Sequence, residues 1–570
     1  MRTYMRSAWL RPLAAGAQQG APMHRVCIIG TGPTALYTLR DLLAAPKPLA
    51  ITLYEKSGTA GTGMPYRADV NGPALLANIA SVELPPVLEP LQRWLEGRSE
   101  TGLDGLDVEL EKIDERTFLP RIVLGTYFRD QFFRLLELGQ QRGFAIEARV
   151  RHEILDIVPM PHAIRVSGTT DAGEGFVRDF DDVVVATGHM IDEEEAGDKR
   201  FHDSPYPTRR LHSCPPCRVG IVGTSLSAID AAVTIAAQHG TFSGDGRTYV
   251  PYASSDSLRL TLMSRNGYLP EADFYCPLPY QPLDIFSEDA VDAQIAAGSE
   301  KLLDRLFALF LQQLVSLAPA YPAAGQGTTA DNFAARYFED REQADPIEWA
   351  RSNLREAETN HLRRQTVGWR YAILRMHEPF ERAVGSFDET DGERFNAGLK
   401  RVFVDNYAAI PPASVRRILA LADAGCLDIL RLGEDYELSD PEEGASFKLR
   451  HQEGERIFDV VVVATGEPRR SHEDYPFPGL MDHFERVERF GRPCTLDSDF
   501  RIPATRGGSV YFLALPYLLE DRPFVQGLVG CHELGTKAAS AIIFRASAEA
   551  ADVEAGPLDM VSQIGMSPAA

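Results

Sequence analysis

Two short stretches of the chain share a spacing that can do chemistry. They are Gly30-Thr31-Gly32-Pro33-Thr34-Ala35 and Gly223-Thr224-Ser225-Leu226-Ser227-Ala228. Each follows an apolar run, "RVCII" at 25–29 and "RVGIV" at 218–222, and each leads into a helical pattern. Small residues at this spacing let a turn close tightly, let a charged ligand reach the backbone, and let the helix pack on the strand. Free amides at the helix start then face the ligand, which suits the pyrophosphate of a dinucleotide.

In the first copy Gly30 permits the turn, Gly32 makes room for phosphate and Ala35 permits close packing. The strand "AITLYE" (50–55) follows and ends in Glu55, 25 positions after Gly30, with Lys56 beside it. An acid there accepts hydrogen bonds from a ribose hydroxyl pair and repels a 2′-phosphate, so this site suits FAD or NAD. The second copy is followed by "LRLTLMSRNGYLP" (258–270), whose strand ends at Ser264-Arg265 with no acid. Arg265 can pair with a 2′-phosphate, which favours NADPH. Ser225 replaces the middle glycine, and its hydroxyl can face a phosphate.

A second duplication supports the first. "DDVVVATGHM" (181–190) and "FDVVVVATGEP" (458–468) are near copies, with Asp181 and Asp459 equally placed. Strands of this kind end beside a cofactor, which puts Thr187, Gly188, Thr465 and Gly466 next to it. The pair brackets one domain inserted into another. Two different dinucleotides follow, FAD at the first turn and NADPH at the second.

These residues need two parallel sheets to hold them. The expected fold is α/β, with two Rossmann-like dinucleotide-binding domains and a helical insertion. The expected layout is a disordered tail (1–23), an FAD-binding domain (24–200) and the first part of an NADPH-binding domain (201–284). A helical insertion (285–440) and return strands of the NADPH-binding domain (441–470) come next. The C-terminal part of the FAD-binding domain (471–550) and a second tail (551–570) complete it. A chain of 570 residues exceeds what one core usually holds. The glycine-rich stretch 58–86 reads as a loop over the nucleotide. A helix is expected from about 126, with Arg121 just before it, meeting either a cofactor phosphate, the flavin ring or a surface acid.

Within the insertion, residues 299–318, 347–366 and 411–425 have apolar residues at helical spacing. Arg363, Arg364 and Arg370 group with Trp369 and Tyr371, either as a solvated face or as a surface for a carboxylate. "DEEEAGD" (192–198) reads as a solvated loop.

The formal charge is −23, from 58 basic and 81 acidic residues. Such a surface repels phosphate backbones, so nucleic acid is not an expected partner. No apolar run approaches the ~18 residues of a spanning helix, so no membrane segment is expected. Seven scattered cysteines fit a reducing compartment, the cytoplasm. Cys214-Pro-Pro-Cys217 has the spacing of a redox pair or half a zinc site. No second such pair exists, so no metal is expected and a connector between domains is the plainer reading.

With both turns and both Ala-Thr-Gly strands in place, the chain resembles class B flavoprotein monooxygenases. More closely, it resembles the bacterial two-Rossmann FAD/NAD(P)-binding protein family, over most of residues 24–545. The marks are "GTGMPYRADVNGPALLANIA", "FLPRIVLGTY", "GTSLSAIDA" and "MSRNGYLP". The segment "PFVQGLVGCHELGTKAASAII" (523–543) is similar to the one by which amino-acid N-hydroxylases close over the flavin. His532 and Gly535 stand near that family's His-Gly, with two residues between them. "FHDSPYP" (201–207) lacks the glycine and later histidine of the Baeyer–Villiger fingerprint. The resemblance implies Asn78 and Arg121 at the flavin and His532 at the cofactor. It also implies a monooxygenase that N-hydroxylates a small amine or amino acid with dioxygen, through a flavin hydroperoxide. Two other readings stand: an NAD(P)H-dependent flavin disulfide reductase, and a non-catalytic cofactor-binding regulator. Assembly into a homo-oligomer is left open.

Overall fold

Val26, Cys27 and Ile28 are fully buried because Arg25–Ile29 is the central strand of a five-stranded parallel sheet. A strand covered on both faces reads as a continuous apolar run rather than an alternation. The order across this sheet is Ser509–Phe512, Asp182–Val185, Arg25–Ile29, Ala50–Glu55, Ala145–Val150, every pair parallel. A second five-stranded parallel sheet has the order Phe201–His202, Val460–Val463, Arg218–Val222, Arg259–Ser264, Leu427–Arg431. The computed structural model describes residues 23–98, 113–189, 200–439, 446–466, 470, 474–489, 496–503, 505, 507–519 and 522–555. The acidic stretch 192–198 and nearly all of the N-terminal tail lie outside them.

The duplication seen in the turns extends to whole half-domains. In the first, the antiparallel meander His152–Pro159, Ile164–Thr170, Gly175–Phe180 precedes the strand Asp182–Val185. In the second, the meander Glu437–Ser439, Phe447–His451, Gly454–Phe458 precedes Val460–Val463. The aspartate ahead of each Ala-Thr-Gly strand pairs with the arginine opening each central strand. Arg25 lies 2.7 Å from Asp181 and Arg218 lies 2.6 Å from Asp459. Because the last strand of the first sheet comes from Ser509–Phe512, the second unit is inserted within the first.

The structure changes four expected extents. The helix after the first loop runs Arg121–Gln141 rather than from about 126. Pro120 sets up its start, and Gly125 sits inside it where a Cβ would collide with the Tyr66 carbonyl. The stretch 58–86 is not all loop: Leu76–Ala80 is a strand paired with Phe118–Pro120. The helical insertion, expected to reach 440, gives way before Pro412–Asp423, whose Val415, Ile418 and Leu419 join the core of the second sheet. Leu427–Arg431 is that sheet's edge strand. At the C-terminus, helix Leu528–Ala555 continues into the expected tail.

Most helices between Glu288 and Tyr407 pack around Phe286, Phe310, Phe333, Phe380, Phe395 and Phe403, while Pro346–Arg363 packs on the second sheet's core. Phe524, from the C-terminal return, joins this cluster, and Arg522 binds Glu381 at 2.9 Å. The insertion is thereby fastened to the first unit as well as to the second.

Candidate functional site

The first turn sits at the C-terminal end of its central strand, where ligands bind in doubly wound sheets. Gly30 has φ +98°, and a Cβ there would run into the Ala186 carbonyl at the end of the neighbouring strand. Gly32 has ordinary backbone angles, but its Cβ would lie 3.3 Å from Gly63 Cα. It opens helix Pro33–Leu42 without a side-chain cap, which leaves the first amides to a ligand. Thr34 and Ala35 are buried in that helix. Glu55 is oriented toward the turn: Oε2 accepts from Thr31 Oγ1 at 2.6 Å and Oε1 from the Ser57 amide at 2.9 Å. Oε2 also accepts from the Thr31 amide at 3.2 Å, so of about four acceptor positions roughly one is left for a ribose hydroxyl. Gly61 donates its amide to Thr31 Oγ1 at 3.1 Å, which lays the loop 58–63 against the turn. Asn78 Oδ1 and Thr62 Oγ1 are buried with no hydrogen-bond partner among the described residues. Buried polar atoms are normally satisfied. The orphaned Thr62 hydroxyl, between Gly61 and Gly63 at the uncapped helix start, fits an extended polar cofactor such as FAD.

The second turn repeats this construction with different ends. Gly223 has φ +132°, and its Cβ would run into the Ala464 carbonyl. Ser225 takes the place of Gly32 with φ −98°, an angle any residue adopts, so the motif tolerates serine here. It opens helix Leu226–His239, again without a side-chain cap, and Ser227 follows in its first turn. Where Thr31 meets Glu55, Thr224 Oγ1 meets Ser264 Oγ at 3.0 Å. Arg265 stands exposed at the strand end, 3.3 Å from the exposed Glu434. A cleft of about 550 Å³ lies in front of Ser225. The loop residues Asn266 and Tyr268 line it on one side, and Asn396, Lys400 and Arg401 of the helical insertion line it on the other.

The remaining expected residues fall as follows. Thr187 and Gly188 follow the first Ala-Thr-Gly strand, and Thr465 and Gly466 the second; both glycines have positive φ. Lys56 pairs with Glu153 at 2.8 Å on an exposed surface. Arg121 does not face open solvent. Its guanidinium is 2.7 Å from Asp230 and donates to the Leu76 carbonyl at 3.1 Å. Tyr206 donates to the same Asp230 at 2.5 Å. Burial opposes the Arg121 charge, but Asp230 and Tyr206 outweigh it and hold the guanidinium above its ordinary pKa. His532 stands near the start of the C-terminal helix, its ring edge-on to Tyr37 at 5.1 Å. Burial, then Arg40, lowers its pKa, so it is neutral near pH 7.

One grouping is not brought together, and the cysteine pair lies far from the turn. Arg363 and Arg364 are exposed, while Arg370 is buried 3.3 Å from Glu271, so they form no common carboxylate site. Cys214 is buried in the second sheet's core and Cys217 adjoins Arg218, the first residue of the central strand. The two thiols influence each other, which raises the Cys214 thiol and lowers Cys217. It sits at the N-terminal end of a five-residue strand, about 16 Å from the end that carries the turn. Sequence reasoning missed Asp230 and Tyr206. The signal for Asp230 was present: it is the one charged residue in the apolar helix "LSAIDAAVTIAA".

Residues 27–190 match the family model described as FAD-NAD(P)-binding, and residues 287–407 match the YdhS-like middle domain. A relative from Escherichia coli (strain K12), Uncharacterized protein YdhS, is 40% identical over 534 residues, covering 92% of this chain and 98% of its own. Among solved structures, similarity extends to Ornithine Hydroxylase (PvdA) from Pseudomonas aeruginosa. It is 14% identical with a TM-score of 0.48, over 91% of this chain and 99% of that one. Bacillithiol Disulfide Reductase Bdr (YpdA) from Bacillus cereus is 11% identical with a TM-score of 0.38, over 92% of this chain and 99% of that one. The relative covers nearly the whole chain, and both family models fall on the units described above: the protein belongs to the YdhS family of FAD-NAD(P)-binding proteins.

Proposed function

We propose that this protein is an FAD- and NADPH-dependent monooxygenase that places oxygen on the nitrogen of a small amine, foremost an amino acid. The observation that carries the reading is the pair of turns. They are built alike, yet one ends at Glu55 and the other at Ser264-Arg265. An acid suits a ribose hydroxyl pair and its absence admits a 2′-phosphate, so two different dinucleotides serve one chain.

FAD, when bound, supplies the hydride acceptor and the site of dioxygen activation. The chain's own part is binding, orientation and water exclusion. Glu55 holds the ribose, the amides after Gly32 meet the pyrophosphate, and the Asn78 amide has an unused acceptor. Helix Leu528–Ala555 lies tightly against Pro33–Leu42, because a Cβ at Gly535 would come within 2.8 Å of the Thr38 amide. This supports a segment that closes over the cofactor and keeps water out. The amine must be neutral to react, so the rate should rise with pH to a plateau.

The disulfide-reductase reading is disfavoured by the position of Cys214 and Cys217 at the far end of their strand. A regulator without turnover gives the second turn no task. The test is anaerobic mixing with NADPH, followed by labelled dioxygen and a panel of amino acids and amines. Bleaching of the flavin and labelled hydroxylamine, oxime or nitro products are expected. A flavin that NADPH does not reduce would refute the proposal.

A further inference from the structure

Glu434 lies beside Arg265, and both side chains are about two-thirds exposed or more, at 67% and 71%. Glu434 already engages the Arg265 guanidinium, so a phosphate arriving there would have to displace a carboxylate. The cleft in front of Ser225 offers a better selector. Its far wall is helix Leu399–Tyr407 of the insertion. There Lys400 hydrogen-bonds Asn396 Oδ1 at 3.2 Å, and Arg401 lies with its guanidinium 5.2 Å from the Phe338 ring centroid. Among the described residues no carboxylate pairs with Arg401. A guanidinium held over a ring face keeps its N–H donors, which can bind a phosphate in two places. The one carboxylate lining the cleft, Asp405, is already matched by Arg341 at 2.7 Å and Tyr337 at 2.8 Å. The near wall carries the uncapped helix start at Ser225 and the Asn266 side chain just past the strand end, where a dinucleotide's adenosine ribose would lie.

We infer that the helical insertion selects the coenzyme: Arg401, with Lys400 beside it, binds the 2′-phosphate of NADPH across the cleft from Ser225. The inference rests on the proposed use of NADPH at the second turn, and moves its specificity from Arg265 to a different structural unit. The insertion then reports on the nucleotide. A chain whose insertion is displaced should bind NADPH and NADH alike.

The test reads binding rather than turnover. Calorimetry with 2′,5′-ADP and with 5′-AMP is run on the full chain carrying its flavin. Wild type should bind 2′,5′-ADP about tenfold or more tightly than 5′-AMP, as a charge-assisted bidentate contact provides. Arg401→Ala should abolish that preference and leave 5′-AMP binding within about twofold, Arg401→Lys should keep part of it, and Arg265→Ala should keep most of it. Arg401 is exposed, so its removal should leave the melting temperature and flavin content unchanged. Equal binding of both ligands by wild type, or a preference that survives Arg401→Ala, overturns the inference. If NADPH fails to reduce the flavin but the preference still depends on Arg401, the oxygenase reading falls and this one stands.

Discussion

Arg121 and Asp230 approach to 2.7 Å with 13% and 10% of their side chains exposed, and they come from different units. Arg121 opens the helix after the first unit's short strand pair, and Asp230 lies in the helix that the second turn starts. The pair therefore links the two dinucleotide halves near both helix starts. Removing one partner of a buried pair leaves an uncompensated charge, which costs about 3–5 kcal/mol. Asp230→Ala should lower the melting temperature clearly, and Arg121→Met combined with Asp230→Leu should recover most of the loss. A single variant that melts like wild type would show that the pair does not join the units.

The two glycines of the first turn should fail differently. Gly30→Val forces a side chain into a positive-φ position facing the Ala186 carbonyl, so soluble protein should fall sharply. Gly32→Val meets only Gly63, so the chain should fold and purify with little flavin, seen as loss of the visible absorption. Full flavin content in folded Gly32→Val would remove the first turn as the FAD site.

Gly535 should behave as a packing residue. Its Cβ would approach the Thr38 amide, the Thr34 carbonyl and Thr38 Oγ1 within 3.0 Å, all on the helix that follows the first turn. Gly535→Val should push the C-terminal helix away, weaken flavin retention and raise the yield of hydrogen peroxide per NADPH consumed. Unchanged flavin binding and unchanged peroxide yield would count against the closing role of this helix.

Stability should depend on pH through Asp273. Burial and then Glu83 push its carboxyl up to about 7, while Arg370 and Arg116 pull it down. His361 lies 3.8 Å away, with its own pKa lowered by burial and Arg116, so it gives no compensating charge near neutrality. Between the ordinary 3.8 and about 7 the folded chain holds a proton that the unfolded chain has lost. Stability from this group therefore falls as pH rises through that window. Asp273→Asn should match wild type at the acid end and melt higher than wild type at pH 8. Parallel melting curves at both pH values would refute the assignment.

Cys217→Ser should leave NADPH-dependent flavin reduction within about twofold of wild type, since the pair lies a strand length from the turn. Anaerobic turnover of a disulfide that this variant abolishes would revive the reductase reading.

The sequence alone determined the two turns, the two Ala-Thr-Gly strands and the insertion of one unit into the other. Those features depend on local chemistry: a positive φ needs Gly30 or Gly223, a doubly covered strand needs an unbroken apolar run, and an acid at a strand end, Glu55, reads directly from the sequence. Ser225 was legible as tolerated, and its ordinary backbone angle explains why. What tertiary structure decided was which charges meet. Arg121 found Asp230 more than a hundred positions away, Arg370 found Glu271, and Arg265 was left beside Glu434 on the surface. An arginine's sequence neighbours do not say which carboxylate the fold will bring to it, because partners come from other elements. The same holds for Arg401, an ordinary helix residue in the sequence, which the packing of the insertion against the second sheet places in the cleft before Ser225.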